Sequence, residues 1–247
     1  MQECAAEALR NLATITENAA TIAAAGAITL LAQLLGPGST AEVLLYASGA
    51  MMKLALYAGN QVSLVIPSMV RLLRAGSASD VQYNAARTLP LLADIAANAA
   101  AIAAAGAVPP LVQLLRPSYS SLVQQLAAGV LAKLALIPEI AATIAAAGSI
   151  PPLVVLLAPG SPSDLHYNTA GALMYLALNA DKAADIAAAG AIPRLEGLLL
   201  APRSRADVKQ MASRALLALG FNNADNRAAM TATTAELLQQ MQELGTG

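Results

Sequence analysis

Four copies of the block IAAAG, at residues 22–26, 102–106, 144–148 and 186–190, set the period of this chain. The last three begin at residues 102, 144 and 186, which is 42 apart, and the first begins 80 before the second, leaving room for one weaker copy between them. A period of about 40–47 residues built from short apolar segments marks a helical solenoid. In such a fold each unit buries its apolar face against its neighbours and the stack presents an extended surface, whose common use is to hold other proteins.

The unit around residues 144–177 shows the plan. Its block at 144–148 ends a short helix, with Gly148 suited to the left-handed cap conformation. Residues 149–152 turn the chain, and Pro151 and Pro152 fit the first turn of the next helix. Residues 153–157 (LVVLL) form that second helix, and 158–162 (APGSP) form a turn. Ser163 or Asp164 is expected to cap a third, longer helix reaching about Leu178. Within it Leu165, Ala170, Leu173, Leu176 and Ala177 fall at helical spacing. The other units repeat this order. Third helices end in LRNLA (9–13), MMKLA (51–55), LPLLA (89–93), LAKLA (131–135), LMYLA (173–177) and LLALG (216–220). Their middle residues are Asn11, Lys53, Leu91, Lys133, Tyr175 and Ala218, at intervals of 42, 38, 42, 42 and 43. The short interval lies between Lys53 and Leu91, where the first helix is degenerate (residues 59–66), and a local change of twist is expected there.

Of the 247 residues 57% are hydrophobic and 12% charged, ample for a continuous core. The net charge of -1 argues against nucleic acid, which calls for a clustered basic surface. Cys4 is the single cysteine, which excludes a disulfide framework and a cysteine zinc site. His166 is the single histidine. Ser163 and Asp164 share its helix and cannot assemble a catalytic triad around a reacting carbon, so a solvated histidine is expected. There is no phosphate loop and no metal-ligand cluster. The sequence thus predicts no catalytic residue, no metal ligand and no cofactor, in an intracellular protein of the cytoplasm, the nucleus or both. Residues 95–115 and 140–163 carry no charge over roughly a membrane span. Each contains a glycine followed by a Pro-Pro pair, which breaks it into two short helices, so no transmembrane segment is expected. Gln2 stands where N-myristoylation needs glycine, and no secretory signal opens the chain.

These short-short-long triplets resemble armadillo repeats. The resemblance is carried by the AGAI, AGAV and AGSI turns, by second helices such as LLAQLL, LVQLL and LVVLL, and by third helices such as AAEALRNLA at residues 5–13. HEAT repeats, which pair two helices, are the alternative; the Gly-turn-Pro-Pro joint favours armadillo. The implied fold is all-α, a right-handed α-solenoid (superhelix) of armadillo repeats with three helices per repeat. Read this way, residues 1–247 are one solenoid: a partial first repeat (1–15), repeats at 16–57, 58–95, 96–137, 138–179 and 180–222, and a partial C-terminal capping repeat (223–247). The opening unit lacks its first two helices, and Gln2, Glu3 and Glu7 give that edge little polarity, so a covering segment or a longer parent chain is expected. Leu237, Leu238, Met241 and Leu244, at a spacing of three to four residues, suit a capping helix.

The resemblance also implies that third helices stack side by side and line a concave groove. Peptide binders of the family use an asparagine at the middle position, and the nuclear-import adaptors add a tryptophan four residues earlier. Here Asn11 alone keeps the asparagine, and the chain has no tryptophan. Four residues before the middle positions stand Glu7, Gly49, Arg87, Gly129, Gly171 and Arg214, so recognition of nuclear-localisation signals is not expected. Lys53, Arg87, Lys133 and Arg214 fall on the middle position or one turn before it, and Glu7 is the one acid among these twelve places. Asn84 and Asn168 lie a further turn back, and Tyr175 adds an amphipathic ring. The candidate partner-binding set is therefore Asn11, Lys53, Asn84, Arg87, Lys133, Asn168, Tyr175 and Arg214. A mildly basic groove of this kind suits an acidic, extended or helical segment of a partner protein; the alternative is a set of solvated charges with no special use. The expected function is a non-enzymatic scaffold or adaptor. A second reading is the substrate-recruiting region of a U-box-type ubiquitin ligase whose catalytic module is not in this chain. Oligomeric state is open, since the uncapped first edge is able to pair with another copy.

Overall fold

The computed structural model describes residues 1–57, 62–74, 76–221 and 223–245, and every regular element among them is a helix. Two compact units, residues 1–114 and 115–247, divide the chain. The first holds α1 (Gln2–Leu12), α2 (Thr16–Ala24), α3 (Ala27–Leu34), α4 (Ala41–Leu54), a 3-10 turn (Ala55–Tyr57), α5 (Val62–Leu72), α6 (Ser79–Leu92), α7 (Ala96–Ala104) and α8 (Val108–Leu114). The second holds α9 (Ser121–Leu134), α10 (Pro138–Ala146), α11 (Ile150–Leu156), α12 (Ser163–Leu176), α13 (Ala180–Ala188), α14 (Ala191–Leu200), α15 (Ala206–Phe221), α16 (Ala224–Ala228) and α17 (Ala232–Gly245).

In the first unit α4 lies between α1 and α6, with α3 packed behind α4 and α5 behind α6. In the second α12 lies between α9 and α15, backed by α11, and α14 backs α15. Leu31, Met51, Leu54 and Leu89 in the first unit, and Leu131, Leu153, Leu173, Leu195 and Leu216 in the second, are fully buried. Each such side chain contributes about 1.5–3 kcal/mol over its exposed state. The alanines between them, such as Ala47, Ala127 and Ala170, are equally buried and bring neighbouring helices close.

The IAAAG blocks do what their glycines predict. Gly26, Gly106, Gly148 and Gly190 sit at φ of 85°, 81°, 78° and 84°, the left-handed region. No atom lies within 4 Å of where a Cβ would stand at any of them, so the backbone conformation, not crowding, demands glycine. The bend between α7 and α8 is 86° and that between α10 and α11 is 87°. The two uncharged stretches are thereby broken as expected, and among the described residues no single helix is long and apolar enough to cross a membrane.

Of three local expectations two are corrected, and the short repeat gains a cause. Neither Ser163 nor Asp164 caps α12. Pro162 takes the N-cap place in extended conformation without a side-chain bond, whereas Thr40 and Ser120 do cap α4 and α9 through their hydroxyls. The short repeat, secondly, has no glycine joint. Leu64 lies 27 residues before Leu91, as Gly106 lies 27 before Lys133. A leucine resists positive φ, so α5 runs helically through the place of the turn with Pro67 inside it. Of the degenerate segment 59–66, residues 59–61 lie outside the described residues. Thirdly, His166 is buried, for a reason given below. At the C-terminal end Leu238 is buried as a capping helix requires, while the side chains of Met241 and Leu244 lie outside the described residues.

Candidate functional site

The stacked third helices of each unit present one open face. In the first unit α1, α4 and α6 surround a hollow of about 470 Å³ whose polar lining is Arg10, Asn11, Thr14, Lys53, Asp80, Tyr83 and Asn84. Three expected residues, Asn11, Lys53 and Asn84, thus meet around one space. Arg87 does not line it. Its guanidinium donates to Tyr83 Oη at 2.9 Å and lies 5.9 Å from that ring's centroid, along its own helix. Arg10 was not among the expected residues. It stands one residue before Asn11, with its guanidinium 5.1 Å from the Tyr46 ring centroid. Its signal in the sequence was the helical period, which places it on the side of α1 that meets α4.

Asn84 and Asn168 occupy equivalent positions, seven residues before Leu91 and Tyr175, and both fasten neighbouring third helices. Asn84 Nδ2 donates to Ser48 Oγ at 2.9 Å and to Leu45 O at 3.4 Å. Asn168 Nδ2 donates to Gln125 O at 3.0 Å. Room for the second contact comes from Gly129, where a Cβ would stand 3.1 Å from Asn168 Nδ2. The glycine found where the import adaptors carry tryptophan therefore serves close stacking. Asn84 is 8% exposed, so its amide nitrogen is committed to the stack.

The second unit's face differs in character. Lys133 is half-buried on α9 and Asn168 half-buried on α12. Tyr175, also on α12, borders two hollows. One, of about 240 Å³, has Leu136, Ala141 and Leu178 in its walls. The other, of about 480 Å³, is walled by Leu178, Ala183, Leu217 and Phe221, with Arg214 at its polar side. Leu136, Leu178 and Phe221 each follow the middle position by three residues and are 56%, 70% and 74% exposed. Leu136 and Leu178 stand just past the ends of α9 and α12 and Phe221 at the end of α15, where an apolar residue reads from sequence as core. Lys182 also lines the smaller hollow, but its ammonium is held by Asp185 at 2.9 Å, and that hydrogen bond raises its pKa.

His166, only 7% exposed, places Nε2 3.0 Å from Ala158 O. A carbonyl accepts, so Nε2 carries the hydrogen. Gln82 and Gln124 hold the equivalent places, nine residues before Leu91 and Lys133. Their amides donate to Arg74 O at 3.0 Å and to Arg116 O at 2.8 Å. All three side chains satisfy carbonyls just past a second helix. The histidine is a structural clamp rather than a solvated group. Nearby, Arg205 bridges Asp164 and Asp207 on the surface, and its hydrogen bond holds the Asp207 carboxyl below the ordinary range. Among the described residues no group of three or more His, Cys, Asp or Glu is placed to hold a metal ion.

The Armadillo/beta-catenin-like repeat family matches residues 96–136, one full period across α7, α8 and α9. No curated protein matches the sequence. Among solved structures the chain is similar to an engineered protein, at 30% identity and a TM-score of 0.77 over 90% of this chain and 93% of that one. It is similar to computationally designed armadillo repeat proteins for modular peptide recognition, at 27% identity and a TM-score of 0.77 over 87% and 92% of the two chains. A designed armadillo repeat protein in complex with the peptide (KR)4 is 26% identical, with a TM-score of 0.74 over 87% and 92%. With its left-handed glycine joints and its stacked long helices, this all-α chain belongs to the armadillo repeat family.

Proposed function

We propose that the chain is a non-enzymatic intracellular scaffold that holds an acidic segment of a partner protein against the faces of its third helices. The observation that carries this reading is the hollow on α1, α4 and α6, where Arg10 and Lys53 converge beside Asn11 and Asn84 with Asp80 the one acid in its lining. The likeness to a designed protein that takes a peptide supports a peptide as the class of ligand. That peptide is basic, whereas the cations here call for the opposite charge. Each exposed ion pair adds only about 0–1 kcal/mol, so Lys53, Lys133 and Arg214 act chiefly by rejecting basic segments and steering acidic ones.

The test is affinity capture of partners from native cell extract with wild type and with a Lys53→Glu/Lys133→Glu double variant. Partners held by wild type are expected to be lost by the variant, and wild-type capture is expected to weaken with added salt. Equal capture by both proteins would overturn the acidic-ligand reading.

A further inference from the structure

The two hollows at the C-terminal end of α12 repeat one plan. The smaller is formed by Ala135, Leu136, Pro138 and Ala141 against Tyr175 and Leu178. The larger is formed by Ala177, Leu178, Ala180 and Ala183 against Leu217 and Phe221. Ala135, Leu136, Pro138 and Ala141 lie 42 residues before Ala177, Leu178, Ala180 and Ala183. The same positions of successive repeats thus build the same apolar notch twice, and Leu178 is wall to both. Small alanines form the floor, and large exposed side chains form the rims. The charged group at the larger notch is Arg214, which is exposed and has no hydrogen-bond or ion-pair partner among the described residues.

We propose that this double notch docks an extended acidic segment of a partner protein, with one apolar side chain in each hollow and a carboxylate on Arg214. The inference rests on the scaffold reading above and names the ligand pattern for the second unit. Charge complementarity decides the polar part, because no acid lines either hollow and Lys182 is already engaged by Asp185. Spacing decides the apolar part. Packed helices stand about 8–10 Å apart, and an extended chain advances about 3.3 Å per residue, so successive notches are matched by apolar residues about three apart. An extended segment in polyproline II conformation, with three residues per turn, points both to the same side. A guanidinium beside an apolar wall holds a carboxylate through two parallel hydrogen bonds.

The experiment selects random dodecapeptides displayed on phage against the full chain. Enriched peptides are then titrated by fluorescence anisotropy against wild type, Leu178→Asp, Leu136→Asp and Arg214→Glu. All three replaced side chains are exposed, and circular dichroism checks that the helices persist. Enriched peptides are expected to carry two apolar residues about three apart beside Asp or Glu. Each substitution is expected to weaken their binding about tenfold or more, and peptides with Lys in place of the acid are expected to bind Arg214→Glu better than wild type. Peptides without this pattern, or patterned peptides that bind the variants as tightly as wild type, overturn the proposal. If binding is instead lost on Lys53→Glu, the notch assignment fails while the scaffold reading stands. If no third-helix substitution affects any enriched peptide, both fail.

Discussion

His166 shows how far a single residue can be read. Its loneliness in the sequence, between Ser163 and a tyrosine, gave no sign of its partner, because the bond to Ala158 O closes a turn of eight residues. The sign was in the repeat: counting back nine from Leu91, Lys133 and Tyr175 gives Gln82, Gln124 and His166, three side chains with an N–H at one height. If the clamp is the role, His166→Gln keeps it and His166→Ala leaves a buried carbonyl without its donor. The alanine variant is expected to lose about 1 kcal/mol, or roughly 2–4 °C in Tm for a chain of this size, and the glutamine variant to melt near wild type. Equal melting of all three proteins would remove the clamp. The asparagines were half legible. Their place near the start of the third helices follows from the helical period. Their bonds to the neighbouring helix, the second admitted by Gly129, are revealed only by a packed pair of helices.

Elements were the most legible scale, since a helix end is a local event. The left-handed joints were read from Gly after a run of alanine, and the structure places them there. The cap of α12 was misjudged by one residue because Pro162 already holds the extended conformation an N-cap needs, φ -57° and ψ 144°. The short repeat is legible only as missing length, although Leu64 in the place of a joint glycine gives its cause. Two substitutions separate backbone conformation from mere loss of glycine. Gly148→Val puts a β-branched residue at φ 78° with open space around it. Strain alone is expected to cost about 1–2 kcal/mol, seen as a lower Tm. Gly197→Ala, inside α14 and also uncrowded, is expected to raise stability by about 0.5–1 kcal/mol through helix propensity. A loss of stability in Gly197→Ala, or none in Gly148→Val, would contradict the separation.

At the scale of the whole molecule the period carried nearly everything, because in a repeat protein each unit meets only its neighbours and stability is close to a sum of units and the interfaces between successive ones. The open face of third helices within each unit was therefore legible before any coordinate, while its chemistry was not. Whether an apolar residue at the end of a third helix is core or rim depends on the next repeat, and Leu178 and Phe221 proved to be rim. The same nearest-neighbour logic makes a prediction about how damage spreads. Leu173 is fully buried on α12, which packs on α9 and α15. Leu173→Ala is expected to cost about 2–5 kcal/mol, depending on how far the cavity collapses, which is roughly 30-fold or more in a local opening equilibrium. If stability is carried by neighbours, hydrogen exchange speeds up most in α12, next in α9 and α15, and least in α1 and α2, because opening propagates one interface at a time. Uniform acceleration across all helices would instead make the chain a single cooperative unit, in which a ligand bound on one face would stabilise every repeat equally.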